Sequence, residues 1–252
     1  MSTAARAWLI DLGNSRLKCA PLDVLGLRGP VLAIGHEHGE SVLPLLAHIG
    51  ISGAGADVWL SSVASAERSR ALVQGLQTAG FRVHPIATSA SCGKLRIAYP
   101  DPTRLGVDRF LSLLAACERN DGPWLVVSAG SALTIDLLGA DGRHLGGMIA
   151  PMPTRMREAL AQQFPQLDVP EGKPRDFADN TADAIASGTQ AALLGLVERA
   201  ARIAAERLGV APTLLVCGGA ADTLDALDCA RLVKLPWLVL DGMAAFVAGA
   251  GH

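Results

Sequence analysis

The chain has 252 residues, half of them hydrophobic and only 18% charged, which permits a large core and excludes a disordered chain. A formal net charge of −2 leaves no basic field to hold nucleic acid, so the expected partner is a small molecule. Five cysteines (Cys19, Cys92, Cys117, Cys217, Cys229) form no CxxC, which argues against a disulfide framework or zinc site and for the reducing cytoplasm.

Asp11 interrupts the first apolar run too early for a signal-peptide core. Ser41–Ala56 lacks formal charge but contains Pro44, His48 and several glycines, so it does not read as a membrane span. Ala7–Leu12 reads as a buried strand ended by Gly13-Asn14, and Leu17–Leu22 as its returning partner. Asp57–Val63 predicts a further strand, Ala66–Ala79 a helix and Phe81–Ile86 another strand. This alternation indicates an α/β architecture. Thr103–Arg119 predicts a helix with Leu105, Phe110, Leu113 and Leu114 on its apolar face. The stretch from Asn120 to Pro123 is a break.

After the break the opening pattern returns. Trp124–Ala129 is a strand, Gly130-Ser131-Ala132 a small-residue turn, and Leu133–Leu138 a second strand. Asp141-Gly142 is the next turn. "WLIDLGNSRLKCA" and "WLVVSAGSALTIDLL" thus suggest a weak internal duplication. Two related halves would place both turns at one cleft between them, where ligands bind by preference. Thr181–Leu208 is a long Ala-rich helical region, one helix or two, with Asp179-Asn180-Thr181 as its start signal. Thr213–Cys217 reads as a strand entering Gly218-Gly219, Leu235–Leu240 as a last strand, and Met243–Ala250 as a short apolar helix.

Four stretches could carry chemistry. "DLGNSRLK" offers Asp11 for Mg²⁺, the Gly13 turn for close approach, Asn14 and Ser15 as donors, and Lys18 for phosphate charge. It equally suits a plain hairpin with an exposed acid and base. Gly130 and Ser131 form a second turn of the same kind, with the same alternative. In "AYPDPTRLGVDRF" the prolines force an extended approach to Asp108-Arg109. Asp108 is either a favourable charge at a helix start or a base for an attacking hydroxyl, and Arg109 either a surface partner or a grip on a carboxylate. Gly146-Gly147 and Gly218-Gly219 suggest close backbone approach, of a ligand or of another strand. The histidines are scattered; His36 and His38 alternate without a third ligand nearby.

In order and spacing, "DLGNSRLK", "YPDPTRLGVDR", "AGSALTID", "GGMIAP", "NTADAIASG" and "LVLDGM" resemble the type III pantothenate kinases of the acetate and sugar kinase, Hsp70 and actin superfamily. The resemblance implies two ribonuclease-H-like (actin-like ATPase) domains with an interdomain cleft, residues 1–119 and 120–252. It implies ATP-dependent phosphorylation of pantothenate, the first step of coenzyme A synthesis. It also implies Mg²⁺, a monovalent cation (K⁺ or NH₄⁺) and a cytoplasmic homodimer. Residue by residue, Asp108 matches the catalytic base. Asp11, Gly13, Asn14, Ser15 and Lys18 match the first phosphate loop, with Asp11 toward Mg²⁺, and Gly130 and Ser131 match the second. Tyr99, Gly106, Val107, Arg109 and Thr181 match pantothenate contacts. Two positions depart from the family. Ser128 stands where an Asp usually binds the monovalent cation, and Met152 where a Gly follows the proline. These departures leave room for a weakened paralogue with a regulatory role, and a kinase of another small hydroxylated acid or sugar is the enzymatic alternative within the superfamily.

Overall fold

A computed structural model of the chain describes residues 7–35, 45, 47, 55–119, 121–166, 171–227 and 231–249. His36, His38, Cys229 and most of Ser41–Ala56 lie outside the described residues. The chain divides into two compact units. Unit 1 comprises the described residues of Met1–Asp121, Ala140–His144 and Trp237–His252; unit 2 those of Gly122–Gly139 and Leu145–Pro236.

In unit 1, β1 (Ala7–Leu12) is central, antiparallel to β2 (Arg16–Leu22) and parallel to β4 (Asp57–Ser62). β3 (Leu32–Gly35) and β5 (Arg82–Pro85) complete the order β3-β2-β1-β4-β5. Because strand side chains alternate between faces, Ile10 and Leu12 join Leu72 and Leu76 of α1 (Ala66–Thr78) in one core. Ser65 caps α1, its hydroxyl accepting the Arg68 N–H. Trp59, on the other face, meets Phe246 of α5 (Leu238–Gly249) edge-on at 6.2 Å, and Phe246 meets Phe110 of α2 (Val107–Glu118) at 6.4 Å. Only Asp108 and Glu118 of α2 escape burial, so it is an interior helix.

α2 and α5 touch backbone to backbone. A Cβ on Gly242 would lie 1.9 Å from the Leu111 carbonyl oxygen. Gly242→Ala should therefore destabilise the fold by on the order of 3 kcal/mol, read as a lower denaturation midpoint. An unchanged midpoint would mean that this helix pair is not closely packed.

Unit 2 repeats the plan. β8 (Trp124–Ala129) is antiparallel to β9 (Ala132–Leu138) and parallel to β11 (Thr213–Cys217), which is parallel to β12 (Leu232–Lys234). With β10 (His144–Pro151) the order is β10-β9-β8-β11-β12, the order of unit 1. The duplication, faint in sequence, is plain in topology. α4 (Thr181–Leu208) is one continuous helix, with Asn180 as N-cap and Gly209 in the left-handed conformation at its end. It packs Leu193, Val197 and Ala200 on Leu125, Val127 and Ile135. The remaining short pair, β6 (Ser91–Cys92) and β7 (Leu95–Arg96), belongs to unit 1.

Several expectations need correction. The helix predicted from Thr103 starts at Val107. Asp101 diverts the chain into a 3₁₀ turn over Pro102–Arg104, accepting the Thr103 N–H at 3.0 Å. The predicted strand Leu235–Leu240 does not form. The strand is Leu232–Lys234, Pro236 cannot extend a ladder, and α5 has begun by Leu238. α3 (Pro153–Gln163) was not predicted, although Pro153 at its first turn is a recognised start signal. No neighbouring strand crowds Gly146, since a Cβ there would meet no protein atom within 4 Å; its φ of +112° is what favours glycine. Met152 takes ordinary backbone angles (φ −73°) and is buried in the unit 2 core.

Candidate active site

The site in unit 1 begins on β1. Asp11 lies on the face opposite Ile10 and Leu12, in register with Lys18 on β2 and Ser61 on β4. Its carboxylate is buried, 3.4 Å from Lys18 Nζ and 3.4 Å from Ser61 Oγ. Burial pushes the Asp11 carboxyl above its ordinary range. The Lys18 ammonium pulls it back, and the charge of Asp108 pushes it further up. Two carboxylates thus share one electrostatic neighbourhood.

The adjoining turn is tied down at both ends. The Gly13 N–H donates to Arg16 O at 3.0 Å, and Arg68 Nη1 on α1 donates to Asn14 O at 3.2 Å. Asn14 and Ser15 are exposed at the tip.

Asp108 opens α2. Thr88 Oγ1 donates to Leu105 O at 2.9 Å and holds the approach, and Gly106 is the N-cap. Asp108 Oδ1 accepts the Arg109 N–H at 2.8 Å. A Cβ on Gly106 would fall 2.7 Å from that oxygen, while the Gly106 backbone (φ −54°, ψ 137°) suits any residue. Gly106→Ala should therefore move the carboxylate without harming the helix. We expect kcat to fall about ten- to a hundredfold with an unchanged melting temperature; equal turnover would remove Gly106 as the residue making room for Asp108.

Val107 is buried, and so is Arg109. Arg109 Nη1 donates to Tyr99 Oη at 3.2 Å, and its guanidinium carbon lies 5.8 Å from the Tyr99 ring centre. The guanidinium is thus oriented by hydrogen bond and by ring.

In unit 2, Ser128 takes the register of Asp11. Thr134 on β9 and Cys217 on β11 flank it, where Lys18 and Ser61 flank Asp11. The Gly130 N–H donates to Ala132 O at 3.1 Å, and Gly130 and Ser131 are exposed. This hairpin is one residue shorter than the first: Ala129 pairs with Leu133, whereas Leu12 pairs with Leu17. Thr181, at the start of α4, is exposed and lines a groove of about 1090 Å³ with Met156, Leu160 and Ile185.

The structure therefore brings Lys18 to Asp11 and the charge of Asp108 within reach of Asp11 in unit 1, with Tyr99 against Arg109, the residue after Asp108. Ser128, Gly130 and Ser131 share the second turn, and Thr181 stands on another element. Ser61 carries no signal of its own in the sequence. Neighbouring-strand register brings Ser61 to Asp11, and no local motif announces it.

Among the described residues, no three His, Cys, Asp or Glu side chains group to hold a metal. Mg²⁺ beside nucleotide phosphates needs only one or two carboxylates, with phosphate and water oxygens completing its shell. Asp11, whose charge burial opposes, fits that need. The trio Ser128, Thr134 and Cys217 carries no formal carboxylate and does not fit a monovalent-cation site built on an acid at this register.

Two sheets of one strand order, each with a polar turn after its central strand, form the fold of the actin-like ATPases and sugar kinases. A crystal structure from Campylobacter jejuni, assigned to a Baf family of transcriptional activators, shares the fold at TM-score 0.60 and 19% identity, over 97% of this chain and 98% of that one. One from Sinorhizobium meliloti, assigned as a 2-dehydro-3-deoxygalactonokinase, does so at TM-score 0.51 and 15% identity, over 97% and 98%. Residues 8–203 match the family model for type III pantothenate kinase. A type III pantothenate kinase of Stenotrophomonas maltophilia (strain K279a) is 48% identical over 238 residues, 94% of this chain and 95% of that protein. The chain belongs to the type III pantothenate kinase family.

Proposed function

We propose that this chain transfers the γ-phosphoryl group of ATP to the terminal primary hydroxyl of pantothenate, giving 4′-phosphopantothenate and ADP at the first step of coenzyme A synthesis. One observation supports the reading beyond family membership. The charge of Asp108, which opens α2, raises the Asp11 carboxyl at the end of β1, and Lys18 Nζ lies 3.4 Å from that carboxylate.

In this reading Asp108 takes the hydroxyl proton as the substrate oxygen attacks phosphorus and ADP departs. Lys18 neutralises charge on the transferring group. Arg109, steadied by Tyr99, pairs with the pantothenate carboxylate. Gly106 and Val107 shape the substrate side, and Thr181 contributes from α4. Asn14, Ser15 and Ser131 face the ATP phosphates. The amides of Gly13 and Gly130 are engaged inside their turns, so these glycines shape the loops and let phosphate approach. Asp11 would hold Mg²⁺, which when bound draws charge from phosphate oxygens.

Transfer should not depend on a monovalent cation. Replacing Na⁺ by K⁺ or NH₄⁺ at constant ionic strength should leave the rate unchanged; strong K⁺ activation would show that the Ser128 position does hold a cation. A homodimer in the cytoplasm is part of the proposal. The four free thiols among the described residues suit that compartment, and no described helix is long and apolar enough to cross a membrane. The test of function is ADP release with pantothenate against a panel of hydroxy acids and sugars. Pantothenate should exceed every other acceptor in kcat/KM. Turnover of another acceptor with none of pantothenate would overturn the reading.

A further inference from the structure

The turn between β9 and β10 is built into unit 1. Gly142 has φ +82°, and a Cβ there would lie 2.6 Å from Lys94 O. Its own carbonyl accepts the Arg96 N–H at 3.0 Å, and Arg143 forms a parallel bridge with Arg96. Two residues along, the Ala98 N–H donates to His144 Nδ1 at 3.5 Å. The turn is therefore stitched along residues 96–98, directly before Tyr99.

This stitching delivers a buried imidazole to the Tyr99 ring. His144 is 3% exposed and stacks on Tyr99 with ring centres 6.0 Å apart and planes 21° from parallel. Tyr99 in turn accepts a hydrogen bond from Arg109 and lies beneath its guanidinium. A tyrosine on an extended segment after Ala98 has rotamer freedom unless something holds its ring. From these contacts we infer that His144 is a positioning residue: it fixes the Tyr99 ring, and through that ring the direction in which Arg109 presents its guanidinium to a substrate carboxylate. The inference rests on the reading of Arg109 and Tyr99 as the acid-binding end of the substrate site. His144 itself touches neither substrate nor reacting atoms.

Two variants of the full chain separate the ring from its hydrogen bond. His144→Phe keeps an aromatic face and loses the Nδ1 acceptor; His144→Gln keeps an acceptor and loses the stack. A preorganised guanidinium binds its partner without a fresh ordering cost, so His144→Gln should raise the KM for pantothenate about tenfold. Its kcat and its KM for ATP should stay at wild-type values, and His144→Phe should retain the wild-type KM for both substrates. Wild-type KM for pantothenate in His144→Gln would overturn the inference. So would an equal rise in both variants, a parallel rise in the KM for ATP, or loss of a cooperative melting transition in either, since each describes a merely structural residue or none. Wild-type turnover of pantothenate is the control. Its absence removes the proposed function, whereas its presence with an unresponsive position 144 removes only this inference.

Discussion

Asp108→Asn should lower kcat about a thousandfold while leaving the KM for ATP nearly unchanged. The asparagine keeps the size of the side chain and an oxygen to accept the Arg109 N–H, now held at 2.8 Å. The start of α2 should therefore be preserved, and most of the helix is buried in any case. What the variant removes is an oxygen able to take a proton from the attacking hydroxyl. Phosphoryl transfer leaves the protein little covalent work, so the loss should fall on turnover rather than on nucleotide binding. The measurement is steady-state kinetics with both substrates varied. A kcat within a few-fold of wild type would mean that the substrate hydroxyl gives up its proton elsewhere.

Asp11→Asn should produce opposite effects on activity and on stability. Burial, the largest influence, holds the Asp11 carboxyl above its ordinary range, with Lys18 opposing and Asp108 adding to the rise. The folded chain therefore binds this proton more tightly than the unfolded chain. Stability from this group is fullest below the unfolded value and falls as the pH rises through the window between the two values. Asparagine removes that penalty, and Lys18, one-fifth exposed, keeps contact with water. Without nucleotide the variant should melt higher than wild type at neutral pH, the difference closing as the pH falls toward the ordinary carboxylate range. With Mg²⁺ and ATP its kcat/KM should drop about a hundredfold. A functional group that stabilises its ligand at the expense of the empty fold behaves in this way. A variant less stable than wild type at neutral pH, or one with full activity, would contradict the role given to Asp11.

The parts of the fold that were legible are those with local punctuation. Trp124–Ala129 and Thr213–Cys217 are apolar runs bounded by Pro, Gly or Cys-Gly, and both form strands at the expected bounds. "LPWLVL" was not legible, because a short apolar run suits a buried strand and a buried helix alike. Only the ladder of β11 with β12 and the packing of α5 on α2 decide between them. Thr103 was misplaced because Asp101 captured the turn before the helix could start. At the site, Asp11, Lys18 and Asp108 could be marked from motif and resemblance. Their common neighbourhood could not, since it depends on register across β1 and on the seat of α2. Nothing in the sequence sets His144 apart from the other scattered histidines; the turn at Gly142 carries it to Tyr99. Ser128 shows the reverse: the resemblance marks it as standing where the family has an Asp, and the duplicated sheet places it at the register of Asp11.

Transfer of phosphoryl to the pantothenate hydroxyl is read from its products. The chain is incubated with ATP, Mg²⁺ and pantothenate, and the mixture is resolved by mass spectrometry. Pantothenate should carry one added phosphoryl group, formed in equal amount with ADP. ADP without phosphorylated pantothenate, or bound ATP that is never consumed, would contradict the transfer.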